Sequence, residues 1–327
     1  PVGVRSGAFR ATESLGIMQT FRRSIKDLLL ELQSLGSVAN ARFFRRGDIL
    51  GIRQVDPAAE RLWRSSISAL AERGETLPPL HTIGYRSYSQ FDEDGILQAI
   101  LAAIGIADGI SVEVGIGDGR ECNTTNLLFN HAWHGVLVDA NASQVRRAIR
   151  FFNHAKDTRA FPPIVVCQSI TAANINALLD EQLPSNEEID VISLDIDSKD
   201  YWILRAMERR PKVIVAEVRG WFPPDRAVTV PENWVYDSAH PEYYGQSLAG
   251  AENLLRGRGY SLVGVNKYCS NAFFVRGDVM TEVLPAPSVE ECSMRPRAMA
   301  LRESLWPGLS HLPWTNVGAE SEVDLPL

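Results

Sequence analysis

The chain has 327 residues, 45% of them hydrophobic, which is enough to bury a substantial core and excludes a disordered polypeptide. Its four cysteines lie far apart without a Cys-x-x-Cys pair, which argues against a zinc ribbon and a secreted disulfide scaffold. The net charge is −7, and residues 1–80 hold 12 Lys/Arg against 8 Asp/Glu, a balance of +4 that leaves −11 for the rest. So small a basic excess suits a solvated helix face or a partner surface better than a nucleic-acid groove.

The first 80 residues are predicted to be mostly helical. Apolar side chains recur at helical spacing over residues 15–35. A second helix is indicated by Asp56 as N-cap and Pro57 in the first turn. Residues 76–80, with two prolines, are predicted to form the linker that follows. The helices are also where we expect a homo-oligomer to form, if the protein makes one.

No segment of the chain has the pattern of a secretion signal or a membrane span. The longest apolar run near the beginning, residues 28–30, is flanked by Asp27 and Glu31. A membrane span needs ~18 consecutive apolar residues, and no run approaches that length. We therefore expect a soluble, cytoplasmic protein.

After residue 80 the pattern changes to short apolar runs that alternate with helical stretches. Candidate strands are residues 111–114, 135–139, 164–167, 191–195 and 213–217, and candidate helices are residues 93–104, 123–131, 142–152, 171–179 and 198–209. Such alternation predicts a parallel sheet covered by helices on both faces. Two further β-rich runs, residues 260–265 and 272–276, are separated by only six residues, which favours an antiparallel hairpin.

The expected fold class is therefore α/β, with a Rossmann-like seven-stranded sheet that ends in an antiparallel hairpin. We divide the chain into a helical region at residues 1–80, the α/β domain at 81–283, and a tail at 284–327 that packs on the domain.

A glycine loop with acidic residues follows the first strand. Gly115, Gly117 and Gly119 alternate with other residues before a predicted helix, the general arrangement for holding a nucleotide. A dinucleotide fingerprint needs its third glycine one residue later, and Asp118 and Glu121 would repel a pyrophosphate. S-adenosylmethionine carries no phosphate, and its sulfonium and ammonium groups are cationic. The alternative is a tight turn without a ligand.

Asp139 ends the second predicted strand, twenty residues after Gly119. An acid at this place can accept both ribose hydroxyls of a bound nucleotide. The alternative is that Asp139 caps the next helix. The loop and Asp139 together favour the nucleotide interpretation.

These motifs resemble a known family. The segment Glu113-Val-Gly-Ile-Gly-Asp-Gly119 resembles motif I of class I S-adenosylmethionine-dependent methyltransferases, and the terminal hairpin is similar to their reversed last strand. Within that superfamily, "YSQFDEDGIL" and "IDVISLDIDSKDYWIL" are similar to FkbM-type methyltransferases, usually O-methyltransferases of sugars, polyketides and other natural products. The resemblance covers roughly residues 85–278. The chain has Asp197-Ser198 where that type usually has Glu-Gly.

The resemblance implies S-adenosylmethionine as cofactor and a set of residues around it. The residues expected to hold its central part are Glu113, Gly115, Gly117, Asp118, Asp139 and Asp195. Gln168 and Ser169 follow the third strand, where adenine is often contacted, and Ser89 and Gln90 are expected near the methionine end. For these last four, the alternative is that they are loop polar groups or helix caps.

Acids lie at the ends of the fourth and fifth predicted strands. Ligands of open parallel sheets bind beyond these ends, so Asp195, Asp197 and Glu217 are candidates for the reaction centre. Their oxygens suit a divalent cation such as Mg²⁺, and without metal Asp195 or Asp197 would be the general base. The alternatives are that Asp197 and Asp200 cap the next helix and that Glu217 pairs with an arginine.

Residues 219–246 have no regular periodicity and are rich in aromatic side chains. They are expected to form a binding loop for a polyhydroxylated acceptor, or alternatively a small core of their own or a dimer contact. His240 in this loop is a further candidate base. Asn266 and Asn271 flank the last hairpin turn and are first of all turn residues.

We therefore expect an O-methyltransferase of a small sugar-like or natural-product acceptor, with no nucleic-acid partner. A non-catalytic cofactor-binding or assembly protein is the second hypothesis. A nicotinamide oxidoreductase is disfavoured by the position of the third glycine.

Overall fold

The structure is a computed structural model that describes residues 55–318. The helices are α1 (Pro57–Glu72), α2 (Glu93–Ala103), α3 (Thr125–Asn130), α4 (Ala142–His154), α5 (Ile175–Gln182), α6 (Asp200–Ala206), α7 (Leu248–Gly257), α8 (Val289–Ser293) and α9 (Pro296–Leu309). The strands are β1 (Ile110–Val114), β2 (His134–Asp139), β3 (Ile164–Cys167), β4 (Val191–Leu194), β5 (Val213–Glu217), β6 (Val228–Thr229), β7 (Tyr260–Val265), β8 (Asn271–Arg276) and β9 (Thr315–Asn316).

The main sheet has seven strands in the order β3-β2-β1-β4-β5-β8-β7. The first five strands are parallel, and β8 pairs antiparallel with both β5 and β7. The strand order changes direction between β1 and β4, so the carboxyl ends of these two strands form the switch point at which open parallel sheets bind their ligands. The predicted Rossmann-like sheet with a terminal antiparallel hairpin is confirmed.

The central strands of the sheet are apolar on both faces, so both faces must be covered by other parts of the chain. β4 and β5 are buried along their whole length, as expected of parallel strands packed between helices. A hydrophobic core cluster within the described residues joins one face of these strands to α5, α6 and α7. No helix within residues 55–318 combines the length and apolar character that crossing a bilayer requires.

The predicted second helix of the N-terminal region is α1. Asp56 caps it by accepting a hydrogen bond from the Ala58 amide at 2.7 Å. Arg64 on α1 donates to Gln98 and to the Ile106 carbonyl, which ties the helix to α2 and the turn after it. The first predicted helix, residues 15–35, lies outside the described residues. The division at residues 80 and 284 stays a prediction.

The long loop after β5 contains more order than the sequence indicated. Its β6 pairs antiparallel with β9 of the tail. Three of its aromatic side chains, Trp221, Phe222 and Tyr243, are buried in a small core with tryptophans from α9 and the segment after it. For these three residues the small-core alternative is therefore the one that the structure shows.

Candidate functional site

The glycine loop between β1 and α3 leaves open space at its tip. Gly117 has φ +55°, and a Cβ atom built on it meets nothing within 4 Å. Gly115 is different, because a Cβ there would lie 1.6 Å from the Asp195 carbonyl oxygen. Its φ of +96° is also one that side-chain-bearing residues rarely adopt. Gly115 thus lets the loop lie directly against the end of β4, which places the glycine loop beside the candidate acids.

The Glu113 side chain holds the end of the glycine loop, where α3 begins. It is buried, and its two carboxylate oxygens accept from the Asn123 amide, the Thr124 amide and the Thr124 hydroxyl at 2.5–2.8 Å. Burial raises the pKa of Glu113, while these hydrogen bonds stabilise the ionised form. The geometry favours a role in shaping the start of α3. Direct contact of Glu113 with a cofactor stays a prediction.

The acids of the loop are paired with arginines. Asp118 forms an ion pair with Arg120, and Glu121 lies 2.9 Å from Arg86. Asp118 and Glu121 would repel a phosphate less strongly than the sequence predicts, because the two arginines partly neutralise their charge. Arg86 also connects the glycine loop to the segment before α2.

Asp139 lies at the tip of the loop. One of its oxygens accepts from the Gly117 amide at 2.8 Å, and the other accepts from the Asn141 amide at 2.7 Å. It is partly exposed at the end of β2, next to the open space over Gly117. The Gln168 amide donates to the Asp139 carbonyl at 3.0 Å, so the end of β3 is close. Ser169 is exposed beyond it, and its carbonyl accepts from Asn174.

Ser89 and Gln90 belong to the segment that Arg86 links to the loop. One oxygen of Asp94, at the start of α2, accepts from the amides of residues 87–89 and from the Ser89 hydroxyl, each at 2.7 Å. The Ser89 hydroxyl is therefore buried and engaged, whereas Gln90 is exposed. Their contact with a cofactor stays a prediction.

Three acids meet where β4 and β5 end. Carboxylate oxygens of Asp195, Asp197 and Glu217 all lie within 4.8 Å of one another. The segment from Asp195 to Asp197 does not continue the strand, because β4 ends at Leu194 and Asp197 has φ +51°. The group forms nevertheless, and its three oxygens are at distances that suit one bound cation.

The protonation of this group is strongly perturbed. Burial, followed by repulsion from Asp200 and Asp197, raises the pKa of Asp195. Burial, followed by repulsion from Asp195, raises the pKa of Glu217 well above its ordinary value. Glu217 is 8% exposed, and its Oε2 has no hydrogen-bond partner in the described chain. The site therefore favours a shared proton or a positive ligand.

Asp200 has a different role from its neighbours. It is buried at the start of α6, and its carboxylate accepts from the Ile196 amide at 3.0 Å and the Ser198 amide at 3.1 Å. Both amides precede α6, whose N-cap is Lys199 without a side-chain cap, so Asp200 holds the turn before the helix instead of capping it. Asp197 is exposed and contributes its oxygen to the group of three acids.

Arg219 and Tyr244 border the acids, although the sequence argument did not select them as site residues. Arg219 lies 3.5 Å from Glu217 and also pairs with Glu242. Its guanidinium lies 3.9 Å from the centre of the Tyr244 ring and donates to the Tyr244 hydroxyl. Burial raises the pKa of Tyr244. The signal in the sequence was the position of Arg219, two residues beyond the strand-ending Glu217.

His240 does not belong to the group of three acids. Its Nδ1 lies 2.8 Å from Asp237, and its ring centre lies 6.3 Å from that of His311. These contacts hold it on the surface of the long loop. A catalytic role for His240 stays a prediction.

Comparison with known proteins gives similarity only at the level of structure. No protein-family model matches the sequence, and no curated protein matches it. Solved structures similar to the chain include an S-adenosylmethionine-dependent methyltransferase from Aquifex aeolicus, at 16% identity, covering 68% of this chain and 98% of that one with a TM-score of 0.35.

Two others are the methyltransferase domain of bacterial CtHen1-C and TrmK of M. capricolum in complex with S-adenosylhomocysteine. The first is 12% identical, covers 57% of this chain and 98% of that one, and has a TM-score of 0.36. The second is 7% identical, covers 51% of this chain and 61% of that one, and has a TM-score of 0.33. With TM-scores below 0.5, these similarities carry no functional argument, which rests on the site geometry described above.

Proposed function

We propose that the protein is an S-adenosylmethionine-dependent O-methyltransferase of FkbM type. It acts on a hydroxyl of a sugar or another polyhydroxylated natural product, with assistance from a divalent cation. The observation that carries the proposal is the direct contact between two features: the nucleotide-type glycine loop and the three acids at the ends of β4 and β5. Gly115 brings them together, since only a glycine tolerates the Asp195 carbonyl at this position.

The residues around the loop fit the cofactor. Asp139 stands beside the open space over Gly117, in the place where an acid accepts ribose hydroxyls. The Gly117 amide already holds the Asp139 carboxylate at 2.8 Å, which orients it before any ligand binds. Gln168 and Ser169, at the end of the neighbouring strand, are proposed to lie along the base of the nucleotide.

The three acids fit a hard divalent cation such as Mg²⁺. Carboxylate oxygens are the ligands that Mg²⁺ and Ca²⁺ prefer, and a cation would balance the charge of the three acids that Arg219 compensates only in part. Glu217 Oε2, buried without a donor, is an oxygen that such a cation would satisfy. We propose Asp195, Asp197 and Glu217 as its ligands.

Bound S-adenosylmethionine supplies a methyl group on a positively charged sulfur. The residues of this chain hold the acceptor and take its proton. In the site without a cation, the carboxylate of Asp195 or Asp197 would accept the hydroxyl proton when the sulfur–carbon bond of the cofactor breaks and the oxygen–carbon bond forms, which leaves neutral S-adenosylhomocysteine. Without a cation, burial and repulsion from Asp200 and Asp197 raise the pKa of Asp195, which makes it a stronger base than an ordinary aspartate.

The test is titration calorimetry of S-adenosylhomocysteine into the purified protein, first with Mg²⁺ and then with EDTA. We expect micromolar binding that is lost in Asp139→Ala and kept in Asp157→Ala, a change in an acid beyond the end of α4. Binding would justify a screen of polyhydroxylated acceptors for methyl transfer. No binding in either condition would overturn the proposal, and binding without transfer to any acceptor would favour a non-catalytic cofactor-binding protein.

A further inference from the structure

Glu217 and Asn271 lie directly opposite each other where β5 pairs with β8. The Glu217 carbonyl accepts from the Gln246 side chain at 3.0 Å, and the Asn271 amide N–H donates to the Asn266 side chain at 3.3 Å. The Glu217 carbonyl and the Asn271 N–H thus bond to side chains and not to each other. Glu217 and Asn271 therefore form a non-hydrogen-bonded pair of the antiparallel ladder. In such pairs the Cα atoms are about 4.5 Å apart and the side chains come closest. Asn271 is thus the cross-strand neighbour of a candidate metal ligand.

The side-chain amide of Asn271 has a defined orientation. Its Nδ2 donates to Glu93 Oε1 at 3.2 Å. Glu93 is buried and also accepts from the Asn266 side chain and the Phe91 amide. The nitrogen of Asn271 thus faces Glu93, and its oxygen faces elsewhere.

The oxygen that faces away from Glu93 has no partner. Asn271 is 4% exposed, and its Oδ1 makes no hydrogen bond within the described chain. Glu217 Oε2, on the opposing residue, is likewise buried and unpaired. Two buried acceptors on a close cross-strand pair cannot satisfy each other, so they require a proton or a positive ligand. An amide oxygen beside carboxylates belongs to the oxygen set that Mg²⁺, Mn²⁺ and Ca²⁺ bind.

We propose that Asn271 Oδ1 is a further ligand of the cation site formed by Asp195, Asp197 and Glu217. The inference rests on the proposed function in that it extends the cation site of that proposal. Glu93 is a positioning residue, since it accepts from Asn271 Nδ2, and Asn266 supports it by donating to Glu93 and accepting from the Asn271 backbone N–H. The site then draws on three adjacent strands, β4, β5 and β8, and the start of α2 supports it.

The test measures Mn²⁺ binding to the full chain by titration calorimetry with MnCl₂ in the absence of cofactor. Asn271→Leu removes the oxygen and keeps the size of the side chain. Asn126→Leu is the matched control, because Asn126 is also a buried asparagine whose amide donates to a buried glutamate, Glu60. Asp195→Asn reports the loss of a carboxylate ligand. Thermal unfolding with and without Mn²⁺ is recorded for every variant.

We expect Asn271→Leu to weaken Mn²⁺ binding by about tenfold or more, and Asn126→Leu to leave it unchanged. Wild-type affinity in Asn271→Leu, together with lost binding in Asp195→Asn, would overturn the inference and leave the cation site of the proposed function intact. If the wild-type chain does not bind Mn²⁺, both the Asn271 ligand and the cation site of the proposed function are overturned. The S-adenosylhomocysteine titration tests cofactor binding separately.

Asn271→Asp keeps the inference testable if the leucine variant does not fold. It places a second carboxylate beside Glu93, which destabilises the protein without metal, but it also gives the cation a charged ligand. We therefore expect Mn²⁺ to raise the unfolding temperature of Asn271→Asp more than that of the wild type. An equal or smaller rise would contradict a ligand at this position.

Discussion

Two groups of acids in this molecule have opposite surroundings. Glu113 and Glu60 are surrounded by donors, each accepting hydrogen bonds from three protein groups or more. Asp195, Asp197 and Glu217 are turned toward one another instead, and Glu217 Oε2 is left without a donor. The hydrogen bonds of the first group hold parts of the fold together, although burial still raises the pKa of Glu113. The second group is destabilising until a proton or a ligand supplies positive charge.

The size of the second effect can be judged from Coulomb's law. Two carboxylate charges less than 4.8 Å apart repel by on the order of 3–4 kcal/mol at an effective dielectric constant of ~20. That is a large part of the stability of an ordinary domain, which is ~5–15 kcal/mol. Retaining such a group is therefore a cost to folding, and the binding of a cation would offset it. Substitutions in the first group should therefore lower the free energy of unfolding, and a substitution that removes a charge from the second group should raise it.

The largest expected effect is at Glu113, in the first group. Glu113→Ala leaves two backbone amides and the Thr124 hydroxyl without their acceptor, so we expect unfolding to become easier by about 3–4 kcal/mol. Urea unfolding measures this change. Glu121→Ala, an exposed acid of the same loop, should change stability by less than about 0.5 kcal/mol. Similar small effects for both variants would mean that Glu113 does not hold the loop.

A smaller loss of stability is expected on substitution of Glu60, which joins α1 to the α/β domain. Burial opposes its ionised form, but hydrogen bonds from His131, Tyr85 and Asn126 outweigh this and hold the pKa of Glu60 below its ordinary value. Glu60→Gln should cost about 2–3 kcal/mol at pH 7.

The sign of its pH dependence follows from the lowered pKa. A carboxyl whose pKa is lower in the folded state contributes stability above its unfolded pKa of about 4.5, and loses it as the pH falls through the folded value. The difference between wild type and Glu60→Gln in urea unfolding should therefore be full at pH 7 and shrink below pH 4.5. A difference that stays constant with pH would show that the lost contact is not ionic.

The contrast between the groups also shows how far the sequence could predict the site. Apolar runs bounded by polar residues predicted the strands of the main sheet to within a residue or two, because buried parallel strands have that pattern. The acids at the ends of β4 and β5 were predicted to be neighbours, since parallel strands bring their carboxyl ends to one edge.

What the sequence could not predict depends on register and tertiary contact. Asn271 was interpreted as a turn residue, and its position opposite Glu217 follows only from the pairing of β5 with β8. The hydrogen bonds of Asp200 in the turn before α6 depend on how the chain continues after β4. The pairing of β6 with β9 joins segments far apart in the chain, and two residues each is too short a strand for a local pattern.

The smallest expected effect, and the only expected gain in stability, is at Glu217 in the second group. Burial and repulsion from Asp195 raise the pKa of Glu217 well above 4.5, so its stabilising form is the protonated one. That stability is complete below pH 4.5 and is lost as the pH rises through the raised pKa. Glu217→Gln has the shape of the protonated form at every pH. In EDTA we therefore expect it to match the wild type at low pH and to be more stable by about 1 kcal/mol at pH 8.

Urea unfolding at pH 5 and pH 8 checks this expectation, and Mg²⁺ separates a cation site from simple repulsion. At pH 8, Mg²⁺ should stabilise the wild type and have little effect on Glu217→Gln, so that the order of stability reverses. Glu242→Gln is the matched control, because this glutamate contacts the same Arg219 but stands outside the group of three acids. If Glu217→Gln were less stable than wild type at pH 8 in EDTA, the two groups of acids would not differ in the way the geometry indicates. The unpaired Glu217 oxygen would then have a donor that the fold itself provides.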